Sequence, residues 1–328
     1  MGTYTAEITT IPEVREVRIS TVAVTRPVEI VQFEKRRWPY ILTMPISWLL
    51  TLWVIAKKIV CRSLGKADPD INTFWFDGLG LSNRAIKEGA ASWKALDIIY
   101  NHPFGQKKSI GGFVDDFWIG MINAQAVRNR LKLVKQEIRR AILRFSDDGE
   151  IRLLSLAAGS AQGVIEVMAE LKAEGIKVKA LLLDIDQTAL DYARQLAYRH
   201  GVGNQIETVK TSVAQAARIS RNFQPQVIEM FGLLDYIPHD KAIRLLGSIY
   251  NSLEPNGIFL TCNICRNPER HFLKWVINWQ MIYRTIKELE QIIGGAGFRN
   301  YRLINEPLKV HCLVVPKRSS GLSPRKML

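Results

Sequence analysis

The sequence predicts an α/β fold, a mostly parallel sheet wrapped by helices, with a helical region ahead of it. Three observations predict this. Residues 151–156, 178–183, 227–231 and 258–262 are short apolar runs, as expected of strands buried on both faces of a parallel sheet. Helical periodicity alternates with them, as in Val164, Val167, Met168 and Leu171 after the first run. The small-residue turn Ala157-Ala158-Gly159-Ser160 follows the first run directly, and the second ends in the acids Asp184 and Asp186.

Residues 150–186 therefore read as a first βαβ unit, and their spacing carries the chemistry. A turn of small residues lets a ligand approach the backbone at a helix N-terminus, and an acid at the tip of the next strand can hold ribose hydroxyls. Dinucleotides usually ask for G-x-G-x-x-G at this turn, to seat a pyrophosphate. Here Ala157 stands at the first glycine, which turns the reading toward S-adenosylmethionine, a cofactor without phosphates.

The elements follow in order. Residues 1–37 form an arm in which 17–25 partly alternates and could pair as an edge strand. Residues 38–61, WPYILTMPISWLLTLWVIAKKIVC, are the most apolar stretch. Their core, 41–56, is shorter than the ~20 residues of a spanning helix, and basic residues flank it. A helix that is buried or covers substrate, a helix lying in a membrane interface and a true span all remain open. One helix is expected over 82–100, and one or two over 114–145, where Val127, Leu131, Val134, Ile138 and Ile142 make an apolar stripe. Arg128 and Arg130 on that helix read as solvated charges. The whole of 38–145 is taken as a helical cap.

From Ser146 to Arg318 the α/β domain continues. A helix over 188–200 stops at Gly201, a third strand spans 206–210, and Thr211-Ser212 follow it. The fourth strand, 227–231, leads into GLLDYIPHD and a helix over 241–253. Pro255-Asn256-Gly257 turns the chain into the fifth strand, and 299–305 with 310–315 fit a terminal antiparallel hairpin. Residues 319–328 form a basic tail.

Composition bounds the alternatives. With 328 residues, 47% of them hydrophobic, the chain can fill one large core or two small ones. The net charge of +14 lies in short clusters such as Lys35-Arg36-Arg37, and it fits either solvated surface or an anionic partner. Four cysteines exclude a disulfide scaffold, and with a polar N-terminus they point to the cytoplasm, peripheral to the inner membrane if 38–61 meets lipid. Cys262 and Cys265 form a C-x-x-C near His271, one ligand short of a zinc site, so no metal is assigned.

The phrase DIDQTALDYARQLA after the second strand, the turn at 157–160 and the L-x-P-x-G turn before the fifth strand together resemble the class I methyltransferases that use S-adenosylmethionine. The resemblance implies a Rossmann-like domain with a seven-stranded, mostly parallel sheet and a terminal hairpin. It implies cofactor contacts at Ala157, Gly159, Ser160, Asp184, Ile185 and Phe231. It also implies contacts at Ser155, where the family usually has an acid, and at Thr211 or Ser212 beside the adenine. GLLDYIP, TCNI and the W-x-x-x-Y-R phrase at 279–284 resemble a narrower bacterial group, associated with 3-hydroxy fatty-acid methyl esters.

Such an acceptor is already ionised, so the useful residue is a cation that orients it, and Arg284 beside Tyr283 is the candidate. An amine or hydroxyl acceptor would instead need a base, for which Asp235, Tyr236 and His239 stand after the fourth strand. Nucleic acid is the weaker partner, because Glu229-Met230-Phe231-Gly232 replaces the N/D-P-P-Y/F/W phrase of base amino-methylation. A membrane-associated protein with a degenerate methyltransferase fold is the reading outside enzymes.

Overall fold

The run 151–156 forms β1 (Ile151–Leu156), and its two faces feed two cores: Leu153 packs into one and Leu154 and Leu156 into the other. That is why the run reads as continuously apolar rather than alternating. The computed structural model describes residues 32–35, 41, 44–67, 73–106 and 108–318. The chain divides into two units, residues 1–32 and 33–328, and of the first only Gln32 is described. The expected strand at 17–25 and the basic tail lie outside the described residues.

After β1 come α6 (Gln162–Ala173), β2 (Val178–Asp184), α7 (Gln187–Arg199), β3 (Ile206–Lys210), α8 (Ala216–Phe223) and β4 (Val227–Met230). Then follow α9 (His239–Ser252), β5 (Ile258–Ile264), α10 (Arg270–Trp275), α11 (Ile286–Gly295), β6 (Asn300–Asn305) and β7 (His311–Lys317). The described residues form one seven-stranded sheet in the order β3-β2-β1-β4-β5-β7-β6. The first five strands are parallel, and β7 runs antiparallel between β5 and β6. Strand order reverses between β1 and β4, so the crevice beyond their carboxyl ends is where such a sheet takes its ligand.

Ahead of the sheet lie α1 (Met44–Ser63), a π-helical turn at Phe74–Gly78, α2 (Leu81–Glu88), α3 (Trp93–Asn101), α4 (Ile110–Ile119) and α5 (Ile122–Ile142). The single helix expected over 82–100 is broken between α2 and α3. Gly89 ends α2, Ala91 adopts φ 63°, and the Ser92 hydroxyl donates to the Gly89 carbonyl at 2.6 Å. Gly120 likewise separates α4 from α5. The α5 stripe does two jobs: Val134, Ile138 and Ile142 join the core under β1 and β2, while Val127 and Leu131 reach a cavity wall.

Helix α1 departs from the first expectation for it, a helix that is buried or covers substrate: it is mostly exposed and none of its residues lines that cavity. Its buried positions are Ser47, Thr51, Val54 and Lys58, whereas Trp48, Leu49, Leu52, Trp53, Ile59 and Val60 are exposed. It packs against α10, whose Phe272 and Leu273 belong to a third core with Phe76, Trp118 and Ile119.

Candidate active site

At the switch between β1 and β4 the chain encloses a cavity of about 410 Å³. Its floor is the carboxyl end of the sheet and its roof is α3, α4, α5 and α10. The turn after β1 sets the cofactor end. Ala157 (φ 52°), Gly159 (φ 55°) and Ala161 (φ 49°) all take the left-handed conformation, which turns the chain sharply from strand into α6. Alanine accepts that conformation at a cost of roughly 1–2 kcal/mol. A Cβ at Gly159 would also crowd Cβ of Trp93 at 3.3 Å.

Asp184 at the tip of β2 braces this turn. Its Oδ2 accepts from Gly159 N at 2.8 Å and its Oδ1 from Asp186 N at 2.9 Å, and its carbonyl accepts from Thr211 N. A carboxylate has about four lone-pair sites, so both oxygens keep capacity for ligand hydroxyls. Asp186 caps α7 by accepting from Thr188 N and also takes the Trp93 indole N–H at 3.1 Å, which ties the roof to the rim. Ile185 between them is exposed and lies on the cavity wall, as does Phe231 after β4.

The cofactor contact expected of Ser155 is not in place, and the nearest acid stands on the neighbouring strand. Ser155 is fully buried and does not line the cavity, and its register partner on β4 is Glu229, whose carboxylate it donates to. Glu229 does line the cavity. Burial lifts its carboxyl to about 7, against the pull of the Ser155 hydroxyl and the Phe231 N–H. Glu229, with Asp184 and Asp186, makes this end of the cavity acidic. An acidic rim repels a pyrophosphate and suits a cofactor that carries an ammonium and a sulfonium.

The residues expected at the acceptor end separate into two sets. Asp235 and Tyr236 line the cavity. The Asp235 carboxylate accepts from Ile264 N at 2.7 Å. Burial raises it to about 6, although Ile264 N–H, Arg130 and Arg284 favour its ionised form. Tyr236 accepts from the Trp279 indole at 2.6 Å, and burial pushes its phenol up to about 12. His239 is exposed at the start of α9, away from the cavity.

Arg284 does not line the cavity either. It donates to the Leu234 and Ile237 carbonyls and to Asn263 Oδ1, so it splints the loop after β4 from behind. Tyr283 is likewise off the wall, with its hydroxyl buried and, among the described residues, without a hydrogen-bond partner. Thr211 and Ser212 are off the wall too, and Ser212 caps the short turn that follows it.

Arg130 is a cavity residue that sequence reasoning missed. It was read as solvated, but it is buried on the cavity wall and donates to Tyr100 OH at 3.0 Å. Arg128 is also buried, held by Glu34 at 2.6 and 2.7 Å. Beside Arg130, His311 of β7 is buried on the same wall, and neither of its ring nitrogens has a partner among the described residues. Burial, with Arg130 close by, holds the His311 pKa well below its ordinary value, so the ring is neutral. The rest of the chamber is mostly apolar, with Phe76, Trp118, Phe272, Leu273, Ile277 and Trp279 on its walls, and Asn83, Asn123 and Glu269 among them.

A family model described as "Putative methyltransferase" matches residues 57–313 of the chain. The chain belongs to this methyltransferase family. Its cofactor is S-adenosylmethionine, and the acids at the rim of the cavity fit it. No curated protein matches the sequence.

Among solved structures, a "possible exported protein" of Bordetella parapertussis aligns with a TM-score of 0.61 at 14% identity, over 83% of this chain and 97% of that one. At that identity the likeness shows the fold alone. An O-methyltransferase family protein of Burkholderia thailandensis aligns at 0.48 and 14%, over 88% of this chain and all of that one (100%). The magnesium protoporphyrin IX methyltransferase of Synechocystis, with bound S-adenosylhomocysteine, aligns at 0.46 and 12%, over 60% and 87%. The sheet of this methyltransferase, five parallel strands with a terminal antiparallel hairpin, is the arrangement that the family resemblance implied.

Proposed function

We propose that this methyltransferase esterifies the carboxylate of an acyl chain, a fatty acid in the simplest case. The observation that carries this reading is Arg130, a buried guanidinium on the wall of a largely apolar chamber that also holds Asp235, next to the acidic end that would receive the cofactor. An apolar tail would fill the space between Phe272, Leu273 and Trp279, and the carboxylate would meet Arg130. A neutral His311 can add one N–H without adding charge. The cofactor supplies an electrophilic methyl group. The chain's own task is then to align the attacking oxygen with that methyl and to exclude water, which needs no general base.

The gripping role expected of Arg284 passes to Arg130 in this reading, and Arg284 becomes the residue that fixes the loop carrying Asp235 and Tyr236. A second reading follows from Asp235. A carboxyl near 6 on the cavity wall suits a base that removes a proton from a hydroxyl acceptor.

The test is incubation of the protein with methyl-labelled S-adenosylmethionine and a series of saturated, 3-hydroxy and aromatic acids. Ester formation is expected, recognised by loss of the label on mild alkaline hydrolysis, together with one S-adenosylhomocysteine per turnover. Label that survives alkali would mark an ether and favour the hydroxyl reading. No labelled product from any acid, by protein that binds S-adenosylhomocysteine, would remove the acyl reading. Arg130→Met should lower kcat/KM by about 10- to 100-fold, the worth of one charge-assisted hydrogen bond, with cofactor affinity kept.

A further inference from the structure

Helix α1 buries the wrong face for water. The stripe turned to the protein is Ser47, Thr51, Val54 and Lys58, and two of its hydroxyls are absorbed by the helix itself: Ser47 Oγ donates to the Met44 carbonyl and Thr51 Oγ1 to the Ser47 carbonyl. Lys58 reaches Asn278 Oδ1 at 3.2 Å. The solvent side carries Leu49 at 67% exposure, Leu52 at 59% and Ile59 at 59%, with Trp48 and Trp53 among them. In an ordinary surface helix the two stripes are reversed.

Two further observations say what covers the face. Residues 44–67 contain Lys57, Lys58, Arg62 and Lys66 and no acid, and Lys57, Arg62 and Lys66 are exposed. Lys57 folds back over the Trp53 ring at 4.9 Å, so charge and indole sit together as at a headgroup boundary. Phe74 and Trp75 are exposed as well, on the turn whose Phe76 packs against Phe272 of α10, the helix that supports α1.

We propose that the outward face of α1 docks in the interface of an anionic lipid bilayer, lying in its plane rather than crossing it. A helix held along one side by α10 can lower its apolar side to the acyl boundary, while Lys57, Arg62 and Lys66 meet acidic headgroups. A spanning helix would have to leave α10 and take Ser47, Thr51 and Lys58 into hydrocarbon without their protein neighbours. Docking stands independently of the acyl reading. If both hold, the wall formed by Phe272 and Leu273 separates membrane and chamber by a single helix, a short path for an acyl substrate.

The test is flotation of the whole protein with vesicles of phosphatidylglycerol and phosphatidylcholine, and with vesicles of phosphatidylcholine alone. Binding to the anionic vesicles, weakened by salt and by their replacement with neutral ones, is expected. Leu49→Glu with Leu52→Glu should reduce it on the order of a hundredfold or more. Lys57→Gln with Arg62→Gln should reduce it about 30-fold on the anionic vesicles alone. Unchanged circular dichroism and S-adenosylhomocysteine binding would show that both variants are folded. Three results would each overturn the proposal: no flotation of the wild type, retention in the vesicles through alkaline extraction, or a stable dimer by light scattering that the leucine variant dissolves.

Discussion

Replacing Glu229 with Gln should stabilise the ligand-free protein above neutral pH while weakening its hold on the cofactor. Burial lifts this carboxyl from 4.5 to about 7. Between those values the folded chain keeps a proton that the unfolded chain has released, so stability falls as pH rises through this window. The penalty is complete above about pH 7. At about 1.4 kcal/mol per unit it amounts to about 3 kcal/mol. Glutamine carries no such penalty and can still bond the Ser155 hydroxyl.

Urea unfolding at pH 5 and pH 8 reads the effect directly. The difference in stability between variant and wild type should grow by about 2.5 kcal/mol between the two, since a small part of the penalty is already present at pH 5. Other buried acids such as Asp235 contribute alike to both proteins and cancel. A ligand ammonium beside Glu229 would favour the ionised form, so wild-type affinity for S-adenosylhomocysteine should rise as pH approaches 7, with proton release on binding below that pH. The variant should bind more weakly and without that pH dependence. Equal pH dependence of stability in both proteins would refute the reasoning, as would a variant less stable than wild type at pH 8.

Asp184→Asn should weaken S-adenosylhomocysteine binding about 10- to 100-fold by calorimetry, since the turn and the proposed ribose contact both rely on the charge. Ala157→Gly should raise the urea midpoint by the equivalent of up to about 1 kcal/mol, because relief of the left-handed strain exceeds glycine's entropic cost. Tyr283→Phe removes a buried hydroxyl that has no partner among the described residues and should stabilise by about 1 kcal/mol; a loss measured by the same assay would reveal a partner or a role for the hydroxyl.

The sheet was legible because a strand buried on both faces must be apolar throughout: β1 falls on the run that marked it and β2 ends one residue beyond its run, and the turn and acid of the βαβ unit lie where spacing put them. What escaped depends on pairing across the sheet or on direction. Ser155 and Glu229 are 74 residues apart, and nothing local tells that a carboxylate on one strand replaces a missing one on the next. Arg130 and Arg284 show the same limit from opposite sides. Both are buried guanidiniums, and residue type gives their charge without saying which one faces the chamber. Alanines at 90 and 91 favour a continuous helix, yet the chain breaks there. Hydropathy marked α1 as seeking an apolar neighbour but could not say which side of the helix the protein itself would cover.

The place of β7 has a consequence for synthesis. It is the last described strand in sequence, but it sits inside the sheet between β5 and β6 and contributes His311 to the cavity wall. On a ribosome β1 to β5 can assemble as they emerge, while β6 waits without a neighbour until residue 317 is free. A nascent chain stalled before that point would carry a nearly complete cofactor turn with an open side to its chamber. The chamber wall is therefore closed only once β7 has been translated.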